Sequence, residues 1–183
     1  MTAVAEQHEV SIEVGAWLPP DGCAVYYYPD PDRGHGKADI VCRVTNRSGD
    51  TWYAAAEHKY PAAERQVGQS RAAFVMPDDV TVYFQGFLIS AEDPRCWTRV
   101  ELDHVEDYQW SPDRRTVVFS DTYSLAAYDA DGLRWVKHLD YLAWLKIALV
   151  DEEWVRIEGQ VDPDVIADCP IALRLTDGVE LFN

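Results

Sequence analysis

Glu101 and Asp103 stand two residues apart in the alternating segment Trp97 to Val105, so on an extended strand both carboxyls project from one face. Two carboxyls on one face can approach the separation at which glycosidases protonate a leaving group and activate a nucleophile. His104 falls on the opposite face with Val100 and Leu102, where an imidazole is either a hydrogen-bonded core group or a proton carrier. A small hydrolase or lyase using Glu101, Asp103 and His104 is thus one reading. Little else in the chain supports it. No G-x-S-x-G, H-E-x-x-H, P-loop or dinucleotide glycine motif is present, and His8, His35, His58 and His138 are dispersed. No catalytic residue is assigned from sequence.

The same acids belong to a larger pattern, in which Glu101, Asp103, Glu106 and Asp107 form one cluster and Asp151, Glu152 and Glu153 another. Residues 92–183 hold 20 acids and 9 bases against 12 and 7 in residues 1–91, which places −11 of the formal −16 in the C-terminal half. An acidic surface of this kind steers basic proteins toward it and repels phosphate backbones and anionic bilayers. These seven carboxylates are the candidate contacts for a basic protein partner, and neither nucleic acid nor membrane is expected as one.

Aromatic residues suggest an alternative. The chain has 7 Trp and 10 Tyr, more than a core of this size needs, and Tyr26-Tyr27-Tyr28 on a strand places at least one ring outward. Tyr26 or Tyr28 with Trp52 or Trp17 would make a stacking platform for a glycan or small ligand. For metals, Asp129 with Asp131 and Asp162 with Asp164 and Asp168 are the best candidates. Neither run has the EF-hand spacing: the twelfth position from Asp129 is Asp140, not glutamate, so both read as turn residues. No metal and no cofactor is expected.

The elements that must position these groups read as strands. With 48% apolar residues in 183, the chain can fill a real core, and its length suggests one domain spanning 1–183. Val10 to Leu18 alternates, Cys23 to Tyr28 returns beside it, and Ile40 to Thr45 and Thr51 to Glu57 continue a meander. Pro61 to Gln66 suits a short helix, while Ala72 to Met76 and Val80 to Ser90 resume β character. Trp97 to Val105, Thr116 to Ser120, Leu125 to Tyr128 and Leu133 to Lys137 follow as strands. Leu139 to Val150 suits a helical turn near Tyr141 and then a strand, and Trp154 to Val161 is another. Pro170 to Phe182 reads as a closing hairpin around Asp177-Gly178. Cys23, Cys42 and Cys169 fall in step with apolar neighbours and read as small core residues, with no C-x-x-C pair among the four cysteines.

One stretch has a likeness. Trp110-Ser111-Pro112-Asp113-Arg114-Arg115-Thr116-Val117-Val118-Phe119-Ser120, followed by Leu125 to Asp129 and Ala130-Asp131-Gly132-Leu133-Arg134-Trp135, resembles a single blade of quinoprotein-type β-propellers over residues 110–137. It departs from the blade pattern at Arg114, where many blades have glycine. One copy supplies no propeller, so the resemblance implies local geometry only, with Gly132 at a positive φ in a hairpin turn.

The fold expected is mainly β, a single antiparallel β-sandwich or bent β-meander of about ten to twelve strands with one or two short helical turns. The N-terminus has neither the basic nor the apolar region of a secretory signal, and unpaired cysteines suit the cytosol. The function expected is a cytoplasmic, non-enzymatic acidic protein that neutralises a basic partner, by analogy of chemistry and size with bacterial immunity and inhibitor proteins. The sequence leaves the oligomeric state open.

Overall fold

The structure is a computed structural model that describes residues 9–15, 19–33, 38, 40–56, 73–139, 142–161 and 172–182. It is mainly β, and its contacts gather the chain into two compact units, Met1–Thr98 and Arg99–Asn183. Among the described residues sixteen strands form four four-stranded sheets, and the helical content is a single 3-10 turn at Pro31–Arg33. No helix there is long and apolar enough to cross a membrane.

In the first unit, β1 (Ser11–Gly15), β2 (Val25–Tyr28), β3 (Ile40–Thr45) and β4 (Thr51–Ala56) lie in the order β1-β3-β4-β2. The expected meander fails at one place: β2 runs parallel to β4 rather than returning along β1. The connection after Gly15 is too long and proline-rich for a tight hairpin, so β1 is free to pair with β3. The second sheet, β5 (Ala73–Val75), β6 (Thr81–Phe84), β7 (Phe87–Ser90) and β8 (Trp97–Arg99), follows chain order. The segment Val80 to Ser90 is two strands, not one. Gln85 and Gly86 both have positive φ, 53° and 83°, which is the two-residue hairpin turn whose twist matches its strands. Alternate residues of both sheets, including Cys42, Val44 and Trp52 from the first and Val82, Phe84 and Ile89 from the second, build one core. Cys23 is exposed, against the expectation that it packs inside, because it precedes β2 in the turn after Gly22.

The second unit positions the acidic residues. Its first sheet, β9 (Asp107–Trp110), β10 (Val117–Ser120), β11 (Ser124–Asp129) and β12 (Gly132–His138), is an antiparallel meander covering the blade-like stretch. Both faces of β10 are buried, which is why Val117-Val118-Phe119 reads as a continuous apolar run. Gly132 has φ +103°, as the Asp-Gly turn requires. Arg114 has φ +59° in the turn between β9 and β10, so the position where blades carry glycine is left-handed here too, with arginine occupying it. The last sheet runs β13 (Leu142–Val150), β14 (Trp154–Val161), β15 (Ala172–Arg174) and β16 (Glu180–Leu181). Val118, Leu125 and Trp135 of one sheet meet Ile147, Val155 and Leu173 of the other in a second core. The ambiguous segment from Leu139 is strand from Leu142 on. The helices expected near Tyr141 and over Pro61–Gln66, and Cys169, lie outside the described residues.

Candidate functional site

The strand expected over Trp97–Val105 stops at Arg99. Val100 is buried, and the Leu102 N–H donates to the Val100 carbonyl at 2.7 Å, closing a three-residue turn that ends the extended conformation. Glu101 and Asp103 therefore share no strand face; both are exposed to solvent. The shared strand face on which the hydrolase reading placed the two carboxyls is therefore not formed.

The segment replaces that pair with a pinned loop. Glu101 N–H donates to the Tyr128 hydroxyl at 2.9 Å, Asp103 N–H to Asp121 Oδ2 at 3.3 Å, and Glu106 N–H to the Ser120 carbonyl at 2.8 Å. Tyr128 is itself buried, and its hydroxyl is pushed to a higher pKa chiefly by that burial, so it stays a neutral anchor. With its backbone donors used inward, the loop sends the Glu101, Asp103 and Glu106 side chains outward. His104 is not packed on an apolar face as expected: its side chain is 37% exposed and Nε2 lies 2.9 Å from Glu106 Oε1, which also accepts the Thr122 hydroxyl at 3.0 Å.

Asp121 holds both sides of this arrangement. Oδ1 accepts the N–H groups of Tyr123 (2.8 Å) and Ser124 (2.6 Å), shaping the turn from β10 to β11, while Oδ2 takes Asp103 of the loop. The turn lifts Tyr123 into solvent at 46% exposure, its ring centroid 6.4 Å from that of His138. Sequence reasoning missed Tyr123. Its signal was the position: a bulky ring between Asp121-Thr122 and Ser124, in a short turn joining two buried strands, has nowhere apolar to go.

The other acids separate by role. Asp107 is half-buried, opposite Ser120 and on the face of Val118, and burial raises its carboxyl pKa against the lowering influence of Tyr108 N–H and Lys146. It is not an outward contact residue. Asp151 accepts Glu153 N–H at 2.9 Å and Trp154 N–H at 2.7 Å to shape the turn from β13 to β14, and these bonds hold its carboxyl below the usual range. Glu152 and Glu153 are exposed on that turn. The two clusters lie apart: Lys146 neighbours Asp107, and five residues of β13 at about 3.3 Å each put Asp151 roughly 16 Å further along.

Much of the acidity is structural. Asp78, Asp93, Asp113, Asp121, Asp129, Asp151 and Asp177 each accept the backbone N–H two residues on. Asp129 does so for Asp131 and pairs with Arg134, and among the described residues no group of three or more His, Cys, Asp or Glu could hold a metal. Asp162, Asp164 and Asp168 lie outside the described residues.

Tyr28 and Trp52 do not form the expected aromatic platform. Tyr28 and Trp52 are each 5% exposed, with the Tyr28 hydroxyl donating to Pro94 O at 2.6 Å and Trp52 Nε1 to Ala91 O at 2.9 Å. The Tyr26 ring stands at 90° to Trp52, giving no coplanar pair, because these strands spend their rings on the core. Trp17 lies outside the described residues. No family model, no curated protein and no solved structure matches this chain.

Proposed function

We propose that this chain is a cytosolic, non-enzymatic binding protein that uses the loop at residues 100–106 to neutralise a basic protein partner, in the manner of immunity and inhibitor proteins. The observation that carries this reading is the loop itself. It is irregular, yet its N–H groups at Glu101, Leu102, Asp103 and Glu106 are all hydrogen-bonded within the second unit, while its carboxylates face water. A loop ordered before it meets its partner loses little conformational entropy on binding, and carboxylates displayed together raise the encounter rate with a cationic surface. Tyr123, beside the Thr122–Glu106 contact, supplies the rigid aromatic group that anchors such interfaces.

The test is affinity capture from the native host's extract at about 50 mM and about 500 mM salt, using the chain, a Glu101→Lys/Asp103→Lys/Glu106→Lys variant and a Glu152→Lys/Glu153→Lys variant. A basic protein should be retained at low salt, released at high salt, and lost from the triple variant with an association rate about 10–100-fold slower. The Glu152/Glu153 variant should retain it. Retention of nothing basic, or equal retention by the triple variant, refutes the reading.

A further inference from the structure

β12 is the outermost strand of its sheet among the described residues, and its open side carries backbone groups as well as side chains. The Leu139 N–H donates to the Tyr123 carbonyl, which fixes the alternation along the pair: Trp135 and Lys137 exchange bonds with β11, while the N–H and carbonyl of Val136 point away from it. Side chains follow the same register. Trp135 enters the core, so Val136, opposite Ala126, and Leu133, opposite Tyr128, lie on the other face, at 43% and 46% exposure. Ala126 and Tyr128 on that face are buried, and the bond from Glu101 N–H to the Tyr128 hydroxyl brings the acidic loop over it. The edge thus presents, side by side, a peptide group, two aliphatic side chains and the flank of the acidic loop.

Each of these selects an occupant. An unpaired edge takes an extended segment whose main chain continues the ladder. A second copy of this chain is a poor candidate, since it carries −16 and the same loop. Residues 99–138, the whole sheet with its loop, hold eight acids and five bases, and Glu180, which pairs with Lys137 at 2.6 Å, makes nine acids. The other cation of the strand, Arg134, lies 3.2 Å from Asp129, so both cations of β12 are compensated. We propose that β12 takes, as a fifth strand of the sheet, an extended segment of the basic partner with arginine or lysine at every second position. Side chains at alternate positions all project over the Val136 and Leu133 face. Their methylene stems cover these two residues, and their charged ends reach past β12 to the loop carboxylates. The added strand lies about 10 Å from β11, a span that an extended arginine and a glutamate cover together. The inference rests on the loop reading and describes the part of the partner that the loop meets.

The strand itself sets the length of the segment. Arg134 is the extra residue of the bulge opposite Ala127 and Tyr128, which bends the edge near its start and leaves Trp135–His138 as the regular stretch. The segment is therefore short, centred on the N–H and carbonyl of Val136. Those two main-chain bonds favour an alternating over a non-alternating basic segment by about 10-fold, on top of the charge attraction that both share.

Isothermal titration calorimetry of the full chain at about 50 mM salt tests this with two synthetic octapeptides of equal charge, one alternating threonine and arginine, the other four arginines followed by four threonines. The alternating peptide should bind about 10-fold tighter and slow the exchange of the Val136 amide. Val136→Pro removes that N–H, which β11 does not use, so it should leave the far-ultraviolet circular dichroism spectrum unchanged and abolish the preference. Leu133→Thr/Val136→Thr, which keeps every backbone donor, should weaken the alternating peptide several-fold and the other hardly at all. Equal binding of the two peptides, a preference that survives both variants, or no binding of either overturns the proposal. The Glu101→Lys/Asp103→Lys/Glu106→Lys variant should lose both peptides. A chain that binds the two equally and loses both in that variant keeps the loop reading and loses the strand site, so the two failures are distinguishable.

Discussion

Asp121 joins the acidic loop to the hairpin beneath it, so replacing it separates loop order from fold stability. Its carboxylate serves three backbone donors, and the residue is only 5% exposed. Asp121→Ala strands all three. At about 1–2 kcal/mol for each buried or part-buried donor left without an acceptor, and least for the 3.3 Å contact to Asp103, the loss is about 3–5 kcal/mol. Asp121→Asn is more selective. The amide oxygen can still accept from Tyr123 and Ser124, but the other position now presents an N–H₂ to the Asp103 N–H, donor against donor. That variant should lose about 1–2 kcal/mol, all of it on the loop side.

Urea unfolding followed by tryptophan fluorescence reads the totals. Amide hydrogen exchange reads their location: the Asp103 amide should lose protection in Asp121→Asn, while those of Tyr123 and Ser124 keep theirs. Capture of the basic partner should fall in Asp121→Asn although every loop carboxylate is present, because binding then includes ordering the loop. Equal destabilisation by the two variants, or an Asp103 amide as protected as in the unaltered chain, refutes this account of Asp121.

The remaining predictions concern stability. Gly178 has φ +70° and an added Cβ would lie 3.1 Å from the Trp135 ring, which is fixed by its bond to Leu175 O; Gly178→Ala should lose about 2 kcal/mol, against about 1 kcal/mol for Gly22→Ala, at φ +83° in open space. Asp107 has a raised folded pKa, so its opposition to folding is complete above the folded value, eases as pH falls through it and is gone below the ordinary aspartate value near 3.9; Asp107→Asn should raise Tm at pH 7 by about 1–2 °C and lose that advantage in acid. Asp113 and Asp151, with lowered folded pKa values, contribute the opposite slope: their stabilisation is complete above about pH 4 and is lost as pH falls through those values, visible as a Tm decline that shrinks in Asp151→Asn. Ser120 Oγ is fully buried with no hydrogen-bond partner among the described residues, so Ser120→Ala should raise stability by up to about 1 kcal/mol in the same urea assay.

How much of this was legible depended on whether side chains or backbone donors decided each element. β3 and β14 fall where their alternation puts them, since period two and one buried face are the same fact seen twice. Trp97–Val105 alternates equally well but is strand only to Arg99, because an alternation of side-chain types does not record where the N–H groups go. β9 was missed for the reverse reason. Asp107 and Gln109 face inward with Val118, and Gln109 reaches Ile147 O at 2.6 Å, so a buried face reads as polar. The parallel pairing of β2 with β4 has no local signature at all.

The candidate site was legible in composition but not in geometry, and the turn aspartates explain why. An aspartate that accepts an N–H two residues on and one that faces a partner contribute equally to the net charge. Their separation comes from position: Asp121 and Asp151 each follow the last residue of a strand, where the backbone must reverse and its donors need an acceptor. Glu101 and Glu106 have no such duty, and glutamate's extra methylene makes it a poorer mimic of a backbone turn. Of the seven acids expected to act as one surface, Asp151 shapes a turn, Asp107 is drawn inward, and Glu152 and Glu153 stand about 16 Å along β13 from Asp107. The partner-facing charge is thereby reduced to Glu101, Asp103 and Glu106. A reversal of those three alone should have most of the effect on binding that reversal of all seven would, with little of the cost in stability.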